Sequence, residues 1–506
     1  MNIIIPFASE DNNFLEEFGV SKHLVKIGKK ISVEYLSQTV ENFPKETNFF
    51  FLILKNNKIL KNKINYTFKN HKIKIIALNK QAKSSLHTIL KVKKFLNKND
   101  KFIVIHPDAF NFLSKDIVKK IASTQYKFGI SGYDTFNPID DTSNDVARLI
   151  VKKNQVISIK EKSRLDGFNA TVSGIYSFEN YFYFEKFAIK EIKKNKPIIG
   201  NLFTEILKSN YEVEYLKINN YFNLGTTQAI NEINFWYDYY IKNKNYKNLI
   251  KFDIINIIPA AGFGSRHLNE GFERPKPFIE INKNFMIDEA AKSLPKSNKY
   301  IYIFKKDLID NYKNIISNIK KNNKNIKIFQ IKNKTKGMAI TCLRVKKLID
   351  KSKPIIFSSC DYGFTFDQLK FKKLINEKDP DAIIFTSKKY PDARIDPNSY
   401  AYVKSNSDSK VTLISEKKTI SKNPHKDFFV TGTFYFKNWQ IFEESVRKMI
   451  DNKMSVNGEY YVATSIISIL KKYNVYNFQI DQFISWSLPI HLKTFYFWKK
   501  HKKFLL

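Results

Sequence analysis

The sequence predicts an α/β protein made of two similar halves, each with a mostly parallel sheet flanked by helices. Three observations lead to this prediction. Short runs of β-branched and aromatic residues alternate with helical patterns along the chain, segments of the first half recur in order in the second, and 506 residues exceed what one ordinary hydrophobic core organises. Continuous apolar strands between helices are typical of parallel sheets that are covered on both faces.

The second half shows the alternation of strands and helices most clearly. In chain order the predicted elements are IINIIPA (strand), MIDEAAKSL (helix), YIYIFKK (strand), LIDNYKNIISNIKK (helix), and IKIFQI, PIIFSSCD and AIIFTSKK (strands). Ligands bind at the carboxyl ends of the strands in such sheets. The loops that follow IINIIPA and PIIFSSCD are therefore the expected position of a site.

The repeat joins six pairs of segments that occur in the same order in both halves. Among them, IIIPFAS near residue 3 resembles INIIPAAGFGS near residue 255, LKVKKFL at Leu90 matches LRVKKLI at Leu343, and VSGIYSF at Val172 matches VTGTFYF at Val430. We expect a tandem duplication with two domains, residues 1–246 and residues 247–506, joined in the charged stretch near Tyr240–Lys251.

The chain is strongly basic, with 86 Lys and Arg against 48 Asp and Glu and a net charge of +38 at pH 7. The lysines are spread along the chain in short runs with Asn, whereas a nucleic-acid-binding arm concentrates its charge in one block or one helix stripe. We therefore expect no nucleic-acid partner. Most of the surplus is interpreted as background, which still allows an anionic small molecule as substrate.

The chain has two cysteines, Cys342 and Cys360, which are too few for a disulfide framework and are expected to be small buried residues. No apolar run approaches the roughly 20 residues of a spanning helix, and the first residues do not resemble a targeting signal. These features predict a soluble, cytoplasmic protein without stable membrane insertion. No Cys or His spacing suits a metal ligand set, so zinc is not expected.

The segment PAAGFGSRHLNEGFERPKPFIEI, from Pro259 onward, carries the strongest chemical signal. Gly262 and Gly264 can turn sharply and let backbone N–H groups approach phosphate oxygens. Arg266 can bind phosphates through a bidentate fork, and Lys276 is a point charge held between two prolines. A Gly-Lys-Ser/Thr sequence does not follow, so the segment is not a P-loop.

At these residues the second half resembles the nucleotidyltransferases that join NTPs to sugar phosphates and related phosphates, enzymes with a glycosyltransferase-A-like (Rossmann-like) sheet. The resemblance covers most of Ile254–Lys500. It implies catalytic roles for Arg266, Lys276 and Asp361, with Mg²⁺ bound to Asp361 of SSCDYGF. The nucleotide-binding residues that it implies are Ala260, Ala261, Gly262, Gly264, Ser265, Arg266, Lys276, Gly337 and Met338; the acceptor-binding residues are Glu416, Lys417, Gly432 and Glu459.

The chain departs from this family at the second metal ligand. Many members carry a second metal-binding Asp in a late Trp-x-Asp-type segment, but the matching stretch here reads FISWSLP, and Asp481 lies a few residues earlier. Two alternatives stay open: one carboxylate and the substrate phosphates hold Mg²⁺, or Asp481 contributes. His267, beside Arg266, has no task in this chemistry and is expected at the surface.

The first half is predicted to be a degenerate, catalytically inactive copy. It reads PFASEDNN where the second half reads PAAGFGSR, and Glu10 and Asp11 would repel a triphosphate. Asn201 stands opposite Glu459. The equivalents of the remaining site residues are Lys22, Asp108, Glu161, Lys162 and Gly174. This half could brace the active half as an intramolecular pseudo-dimer or bind a related ligand, and acceptor-type binding stays open.

The function predicted from these motifs is a Mg²⁺-dependent transfer of NMP from an NTP to a sugar phosphate or similar phosphate, with release of pyrophosphate. VNGEYY, which contains Glu459, resembles a motif of a subset found in surface-polysaccharide gene sets. Two other functions stay open. One is a glycosyltransferase that uses a nucleotide-sugar, although SSCDYGF offers a single Asp for an Asp-x-Asp motif; the other is a non-catalytic binding or regulatory protein.

Overall fold

The computed structural model describes residues 1–97, 99–123, 126–163, 167–195, 197–262 and 264–506, with the side chains of residues 245, 394 and 395 left out. The chain divides into two compact units. Unit 1 contains Met1–Asp238 and Lys500–Leu506, and unit 2 contains Tyr239–Lys499. Within the described ranges, no helix is long and apolar enough to cross a membrane.

The elements of unit 1 alternate strands and helices. The strands are β1 (Asn2–Pro6), β2 (Lys26–Ile27), β3 (Lys30–Ile31), β4 (Asn48–Leu54), β5 (Lys72–Leu78), β6 (Phe102–Ile105), β7 (Ala109–Asn111), β8 (Phe128–Tyr133), β9 (Arg148–Lys152), β10 (Gln155–Lys160), β11 (Ala170–Phe178), β12 (Val213–Lys217) and β13 (Tyr221–Asn223). The helices are α1 (Asn12–Phe18), α2 (Ser32–Val40), α3 (Lys58–Thr67), α4 (Ser85–Ile89), α5 (Lys115–Ser123), α6 (Pro138–Asp141), α7 (Tyr181–Glu191), α8 (Ile199–Lys208) and α9 (Thr227–Asn245), the last of which continues into unit 2.

Unit 2 follows the same alternation. Its strands are β14 (Ile255–Ala260), β15 (Glu280–Ile281), β16 (Asn284–Phe285), β17 (Lys299–Lys305), β18 (Ile326–Ile331), β19 (Ile355–Ser358), β20 (Tyr362–Thr365), β21 (Ala382–Ser387), β22 (Tyr402–Ser405), β23 (Val411–Ser415), β24 (Phe428–Phe436), β25 (Val475–Gln479) and β26 (Gln482–Ser485). Its helices are α10 (Ser265–Asn269), α11 (Met286–Ser293), α12 (Lys306–Asn311), α13 (Lys313–Asn322), α14 (Met338–Leu343), α15 (Gln368–Lys378), α16 (Pro391–Ile395), α17 (Trp439–Asp451), α18 (Val462–Ile467) and α19 (Pro489–Leu505), the last of which continues into unit 1. Short 3₁₀ turns lie at Lys22–Leu24, Leu90–Phe95, Lys276–Phe278, Lys346–Leu348, Pro397–Ser399 and Pro424–Lys426.

The central sheet of unit 2 has the strand order β18-β17-β14-β19-β24-β21-β25, with β22 and β23 attached beside β24. Strand β24 is antiparallel to both of its neighbours, and the other six strands of this row share one direction. The prediction of an α/β fold with mostly parallel strands is confirmed. Because β14 and β19 pair in parallel, the loops that follow them leave the same edge of the sheet.

The apolar residues of the central strands of unit 2 form its hydrophobic core. Ile257 of β14, Ile301 of β17 and Phe357 of β19 are fully buried in one apolar cluster. The amphipathic helix α17 covers them with Trp439 and Phe442. Burial of apolar area on this scale is the main stabilising contribution to such a domain.

One predicted helix is divided in the structure. The sequence LIDNYKNIISNIKK forms α12 and α13, which separate at Tyr312, where φ is −124° and ψ is 40°. The ring of Tyr312 lies 5.4 Å from that of Phe278, measured between centroids. The apolar periodicity of the sequence does not reveal this interruption, at which the Tyr312 ring packs against Phe278.

The central sheet of unit 1 has the order β5-β4-β1-β6-β11-β8-β12, continued by β10 and β9. Strand β11 is antiparallel to β6 and β8, as β24 is to β19 and β21 in unit 2. Small ribbons recur as well: β2-β3 and β7-β13 in unit 1, and β15-β16 and β20-β26 in unit 2. The two units thus have the same order and direction of strands along the first seven positions.

Candidate active site of unit 2

A cavity of about 220 Å³ lies at the edge of the unit 2 sheet where β14 and β19 end. Its walls come from four loops: those after β14, β18 and β19, and the segment before α18. The lining residues are Pro259, Ala260, Ala261, Gly262, Lys276, Lys334, Thr335, Gly337, Met338, Thr341, Ser359, Cys360, Asp361 and Glu459. The cavity therefore combines residues from the glycine segment, the Asp361 loop and the Glu459 segment.

Gly264 allows the glycine loop to lie directly on Lys276. Its φ is +67°, and a Cβ at this position would lie 2.4 Å from Cβ of Lys276 and 3.2 Å from its backbone nitrogen. Gly262 is different, because a Cβ there would meet no atom within 4 Å. Gly264 is therefore required by its backbone conformation and by its close packing on Lys276. Gly262 instead leaves open space in front of the loop.

Lys276 and Asp361 form an ion pair on the cavity wall. The distance from Lys276 Nζ to Asp361 Oδ2 is 2.6 Å, and the side chains are 22% and 9% exposed. Burial by itself lowers the pKa of Lys276, but the adjacent charge of Asp361 and the hydrogen bond to it outweigh burial, so the pKa lies above its ordinary value. Lys276 is therefore a permanent cation beside the carboxylate.

Gly337 joins the loop after β18 to the Glu459 segment. Its φ is +106°, and a Cβ would lie 2.6 Å from the backbone nitrogen of Tyr460. Tyr460 N–H donates to the carbonyl of Lys336 at 2.9 Å, and Ala339 N–H donates to the carbonyl of Tyr460 at 3.1 Å. These contacts hold the Glu459 segment against the loop after β18, and Glu459 lines the cavity.

Lys417, Tyr461 and Glu459 form a chain of polar contacts. Lys417 Nζ donates to the hydroxyl of Tyr461 at 2.9 Å and lies 4.9 Å from the centre of its ring. The Tyr461 hydroxyl donates to Glu459 Oε2 at 2.6 Å. Of the residues predicted to bind the acceptor, Lys417 and Glu459 are thus connected through a tyrosine whose pKa burial raises.

Glu416 precedes Lys417 at the end of β23. Burial raises the pKa of its carboxyl to about 7, although Lys417 and Thr464 oppose the shift. Lys417 itself has φ +51°. The backbone turn therefore directs two neighbouring side chains differently, which a sequence reading as a solvated Glu-Lys pair does not anticipate.

Gly432 lies on β24 directly beneath the Asp361 loop. Its φ is +76°, and a Cβ would lie 3.0 Å from both Ser359 Oγ and Tyr362 Cε2. The N–H of Ser359 donates to the carbonyl of Gly432 at 3.2 Å. This glycine supports the loop that carries Asp361 and does not line the cavity described above.

Three predicted nucleotide-binding residues lie beside the cavity instead of on its wall. Gly264 begins α10, and Ser265 and Arg266 occupy its first positions with exposed side chains. Phe263 of the same motif lies outside the described residues. The exposed guanidinium of Arg266 is accessible to a ligand that extends out of the cavity.

Asp481 does not meet Asp361. The ribbon β20-β26 pairs Tyr362 with Ser485 at one end and Thr365 with Gln482 at the other, and Asp481 N–H donates to the carbonyl of Thr365 at 2.9 Å. Asp361 precedes the first end and Asp481 precedes the second. This separation favours the alternative in which Asp361, without Asp481, would hold Mg²⁺ together with the substrate phosphates.

The residues near the first end of the ribbon form a buried polar network. Ser485 Oγ and Ser487 Oγ lie 2.8 Å and 3.1 Å from Nδ1 of His491, whose Nε2 lies 3.0 Å from Asp392 Oδ2. Burial raises the pKa of Asp392, but the hydrogen bond and charge of His491 and the hydroxyl of Tyr400 outweigh it, so the pKa is low. This network was not predicted from the sequence, because Asp392 and Tyr400 are far in the chain from Ser485, Ser487 and His491.

The expectation that His267 lies at the surface was wrong. His267 is 1% exposed, and its Nε2 lies 3.3 Å from the carbonyl oxygen of Trp486. Burial and the charge of Lys276 lower its pKa. Trp486 also contacts the Asp361 loop, because its N–H donates to the carbonyl of Asp361 at 2.8 Å. Through Trp486, His267 therefore packs behind the Asp361 loop.

The resemblance implies that TKGMAIT lines the nucleobase and ribose, and Thr335 and Thr341 of this segment do line the cavity. Thr341 lies in α14, and its Oγ1 donates to the carbonyl of Gly337 at 3.1 Å. Lys334, which precedes the segment and also lines the cavity, was not among the predicted residues. Both cysteines are buried, and Cys360 lines the cavity with a pKa that burial raises to about 12.

The carboxylate on the cavity wall suits a hard cation such as Mg²⁺, whose remaining ligands would be water and substrate phosphates. In the described part of the chain, no group of three or more His, Cys, Asp and Glu residues could hold a metal ion by itself. Mg²⁺ is commonly bound through one or two carboxylates together with substrate phosphates and water, so a single buried carboxylate such as Asp361 fits this mode.

The second half of the chain is similar to known proteins. Residues 255–487, which lie within unit 2, match the family described as Nucleotidyl transferase. The bifunctional protein GlmU of Methanococcus aeolicus is 24% identical over 188 residues, which are 37% of this chain and 43% of that protein. This chain thus spans less than half the length of that relative.

Solved structures of similar proteins cover about half of this chain. A nucleoside-diphosphate-sugar pyrophosphorylase from Vibrio cholerae RC9 is 18% identical with a TM-score of 0.40, and covers 48% of this chain and 99% of its own. The inositol-1-phosphate CTP transferase from T. maritima is 12% identical with a TM-score of 0.38, and covers 46% of this chain and 95% of its own.

Proposed function

We propose that unit 2 transfers NMP from an NTP to a sugar phosphate or similar phosphate and releases pyrophosphate. The observation that carries the proposal is the ion pair of Lys276 and Asp361 on a cavity that also contains the glycine loop and Glu459. The cavity is thus lined by a cation, Lys276, by a carboxylate able to hold a metal, Asp361, and by the glycine loop with its accessible backbone. Phosphoryl transfer requires such positioning and charge neutralisation more than covalent chemistry.

The NTP is proposed to lie along the loops after β14 and β18. Gly262 leaves room for backbone N–H groups to meet phosphate oxygens, and Gly337 and Met338 form the wall for the nucleoside. Lys276 would neutralise the charge that develops on the phosphates, and the exposed Arg266 would pair with the β- and γ-phosphates.

The acceptor is proposed to lie toward Glu416, Lys417 and Glu459. An oxygen of its phosphate attacks the α-phosphorus, the new P–O bond forms, and the bond to the β-phosphate breaks with its electron pair leaving on pyrophosphate. A phosphate is already an anionic nucleophile, so a general base is not needed. Lys417 would attract this anion, and Glu459 would accept hydrogen bonds from hydroxyls of the acceptor.

Asp361 is the residue that would hold Mg²⁺, together with phosphate oxygens of the substrate. The ion supplies charge neutralisation of the transferred phosphate when it is bound. Lys276 pairs with Asp361 in the free protein, and it would be available to the phosphates if Asp361 held the cation.

We also propose that units 1 and 2 arose by tandem duplication and that unit 1 is the degenerate copy. The shared strand order and direction support this proposal, as does the absence of both loop glycines from PFASEDNN. The buried, unoxidised cysteines are consistent with a cytoplasmic protein. A role in surface-polysaccharide precursor synthesis rests on the VNGEYY motif alone.

The test is pyrophosphate release by the full chain with Mg²⁺ and a panel of the four NTPs against sugar 1-phosphates. The proposal expects release with at least one pair. Transfer of a sugar from a nucleotide-sugar without pyrophosphate release would support the glycosyltransferase instead, and binding without turnover would support a regulatory protein.

A further inference from the structure

Unit 1 contains an ion pair at the position that Lys276 and Asp361 occupy in unit 2. Lys22 Nζ lies 2.9 Å from Asp108 Oδ2. Lys22 begins a 3₁₀ turn, as Lys276 does, and Asp108 follows β6, the strand beside β1. The N–H of Leu224 donates to the carbonyl of Asp108 at 2.7 Å, the same contact that Trp486 makes with Asp361.

The support beneath this pair is also preserved. Gly174 has φ +89°, and a Cβ there would lie 3.3 Å from Cβ of His106. The N–H of His106 donates to the carbonyl of Gly174 at 2.9 Å. Gly432 has the same conformation and the same backbone contact with Ser359 in unit 2, so the geometry persists although the supported side chain is now a histidine.

The third preserved feature is the Glu-Lys turn after β10. Lys162 has φ +48°, against +51° for Lys417. Burial raises the pKa of Glu161 as it does that of Glu416, and Glu161 lies against Gly200, where a Cβ would meet Oε1 at 1.8 Å. A left-handed lysine is an uncommon conformation, so its presence in both units marks a retained turn.

Unit 1 differs from unit 2 in the segments that correspond to the proposed nucleotide-binding loops. Phe14 of α1 is fully buried, and the centre of its ring lies 5.5 Å from Lys22 Nζ. The helix after β5 begins at Ser84, which is extended with φ −160°, where α14 begins at the left-handed Gly337. An aromatic side chain beside Lys22 and a side chain in place of Gly337 both reduce the room for a nucleotide.

Buried polar atoms around the ion pair have no protein partner. Within the described residues, both ring nitrogens of His23, Nε2 of His106 and Oδ1 of Asp108 are buried without a hydrogen bond. His23 is 2% exposed, and burial lowers its pKa to about 4. Buried polar groups without any partner are rare in folded proteins, and the grouping of these atoms around the ion pair of Lys22 and Asp108 is consistent with a polar ligand there.

We propose that unit 1 binds a phosphorylated sugar or similar phosphorylated polyol, and excludes nucleoside triphosphates. Lys22 and Lys162 supply the cations for the phosphate, and His106, Asp108 and Glu161 supply hydrogen bonds for hydroxyls. The chemical class of this ligand rests on the function proposed for unit 2, because Glu161 and Lys162 correspond to Glu416 and Lys417, which are assigned there to the acceptor. Binding itself does not depend on catalysis.

The experiment is hydrogen–deuterium exchange of the full chain with glucose 1-phosphate, mannose 1-phosphate, glycerol 3-phosphate, inorganic phosphate or ATP as probe. We expect at least one organic phosphate to protect the backbone of residues 104–110 and 172–176. Inorganic phosphate should protect them at least tenfold more weakly, and ATP should leave them unprotected. Protection is read separately for residues 357–363 of unit 2.

Two variants locate the binding. Asp108→Asn keeps the shape of the side chain, and Lys22→Met removes the cation; each should raise the concentration needed for protection of unit 1 at least tenfold and leave pyrophosphate release by unit 2 unchanged within twofold. Lys276→Met should reduce pyrophosphate release by unit 2 and leave the protection of unit 1 unchanged. The proposal is overturned if no probe protects unit 1, if inorganic phosphate or ATP protects it as well as the organic phosphates do, or if both unit 1 variants bind normally. Absence of pyrophosphate release would refute the function of unit 2 and leave the exchange result for unit 1 readable.

Discussion

Lys276 and Asp361 lie in loops that follow different strands, yet their charged atoms are 2.6 Å apart on the wall of one cavity. The first prediction concerns this pair. Lys276→Met leaves the nearly buried Asp361 without its cation, so we expect a loss of about 100-fold or more in the rate of pyrophosphate release. Urea unfolding should show a loss of roughly 1.5–3 kcal/mol, the usual cost of an absent hydrogen bond to a charged group.

Lys292→Met is the matched control. Lys292 forms a pair with Glu289 at 3.0 Å but is 58% exposed. This variant should lose less than about 1 kcal/mol and keep its activity, because exposed ion pairs contribute little. Equal effects of the two variants would contradict a special role for Lys276.

The second prediction concerns Gly337. Gly337→Ala would place a Cβ 2.6 Å from the backbone of Tyr460 and force an L-residue to φ +106°. Strain and overlap should together cost about 2–4 kcal/mol in unfolding free energy and displace Glu459. Gly271→Ala adds strain at φ +84° without any atom within 4 Å of the new Cβ, so it should cost about 1 kcal/mol and leave activity unchanged.

The third prediction separates binding from stability at Gly262. A Cβ at this position meets no protein atom within 4 Å, so Gly262→Ala should unfold at the same urea concentration as the natural chain. The methyl group would stand where the backbone is proposed to approach phosphate. The KM for NTP should rise about tenfold, which corresponds to one weakened charge-assisted hydrogen bond. An unchanged KM would place the phosphates elsewhere.

The fourth prediction concerns pH. The pKa of Glu416 is raised to about 7 by burial, so the folded state holds a proton that the unfolded state loses near the ordinary pKa of 4.5. Stability therefore falls as pH rises from about 4.5 to 7, because the charged form is penalised in the folded state alone. Glu416→Gln should remove this loss and stabilise the protein more at pH 8 than at pH 5, as measured by urea unfolding.

The comparison between Glu416→Gln and the natural chain is what makes this test specific. Burial also raises the pKa of Asp288, to about 6, and that group contributes equally to both proteins. A difference in stability that does not change between pH 5 and pH 8 would refute the raised pKa of Glu416.

The fifth prediction concerns Tyr461, whose hydroxyl connects Lys417 with Glu459. Tyr461→Phe should raise the KM for the acceptor about tenfold and leave the KM for NTP unchanged, because the hydrogen bonds of this hydroxyl with two charged groups are lost on the acceptor side. Tyr496→Phe also removes a hydroxyl, one that donates to the carbonyl of Glu280 at 2.6 Å, and should change neither constant.

The sequence was sufficient to predict the mixed α/β fold and the loops that surround the cavity. Alternation of apolar runs predicts the strands, and Gly262, Lys276 and Asp361 each follow or adjoin a strand end. The sequence could not predict the contacts between these loops. The hydrogen bonds of Tyr460 with Lys336 and Ala339 depend on tertiary packing that no local pattern encodes.

Buried polar residues were the main failure of sequence reasoning. His267 was expected at the surface because it has no task in the proposed chemistry, but the carbonyl of Trp486 accepts its hydrogen bond in the interior. His491 and Asp392 belong to a network that is assembled from distant segments. A polar side chain buried with a partner has the same local sequence as an exposed one, so only the fold distinguishes them.

The most direct test follows the label from an NTP radiolabelled at the α-phosphate. The full chain is incubated with Mg²⁺, the NTP and a panel of sugar 1-phosphates, and the products are separated and counted. If unit 2 is a nucleotidyltransferase, the label enters a nucleotide-sugar, unlabelled pyrophosphate is released in equal amount, and Asp361→Asn abolishes both while Asp481→Asn does not. Release of pyrophosphate without labelled nucleotide-sugar, or full activity of Asp361→Asn, would contradict the account.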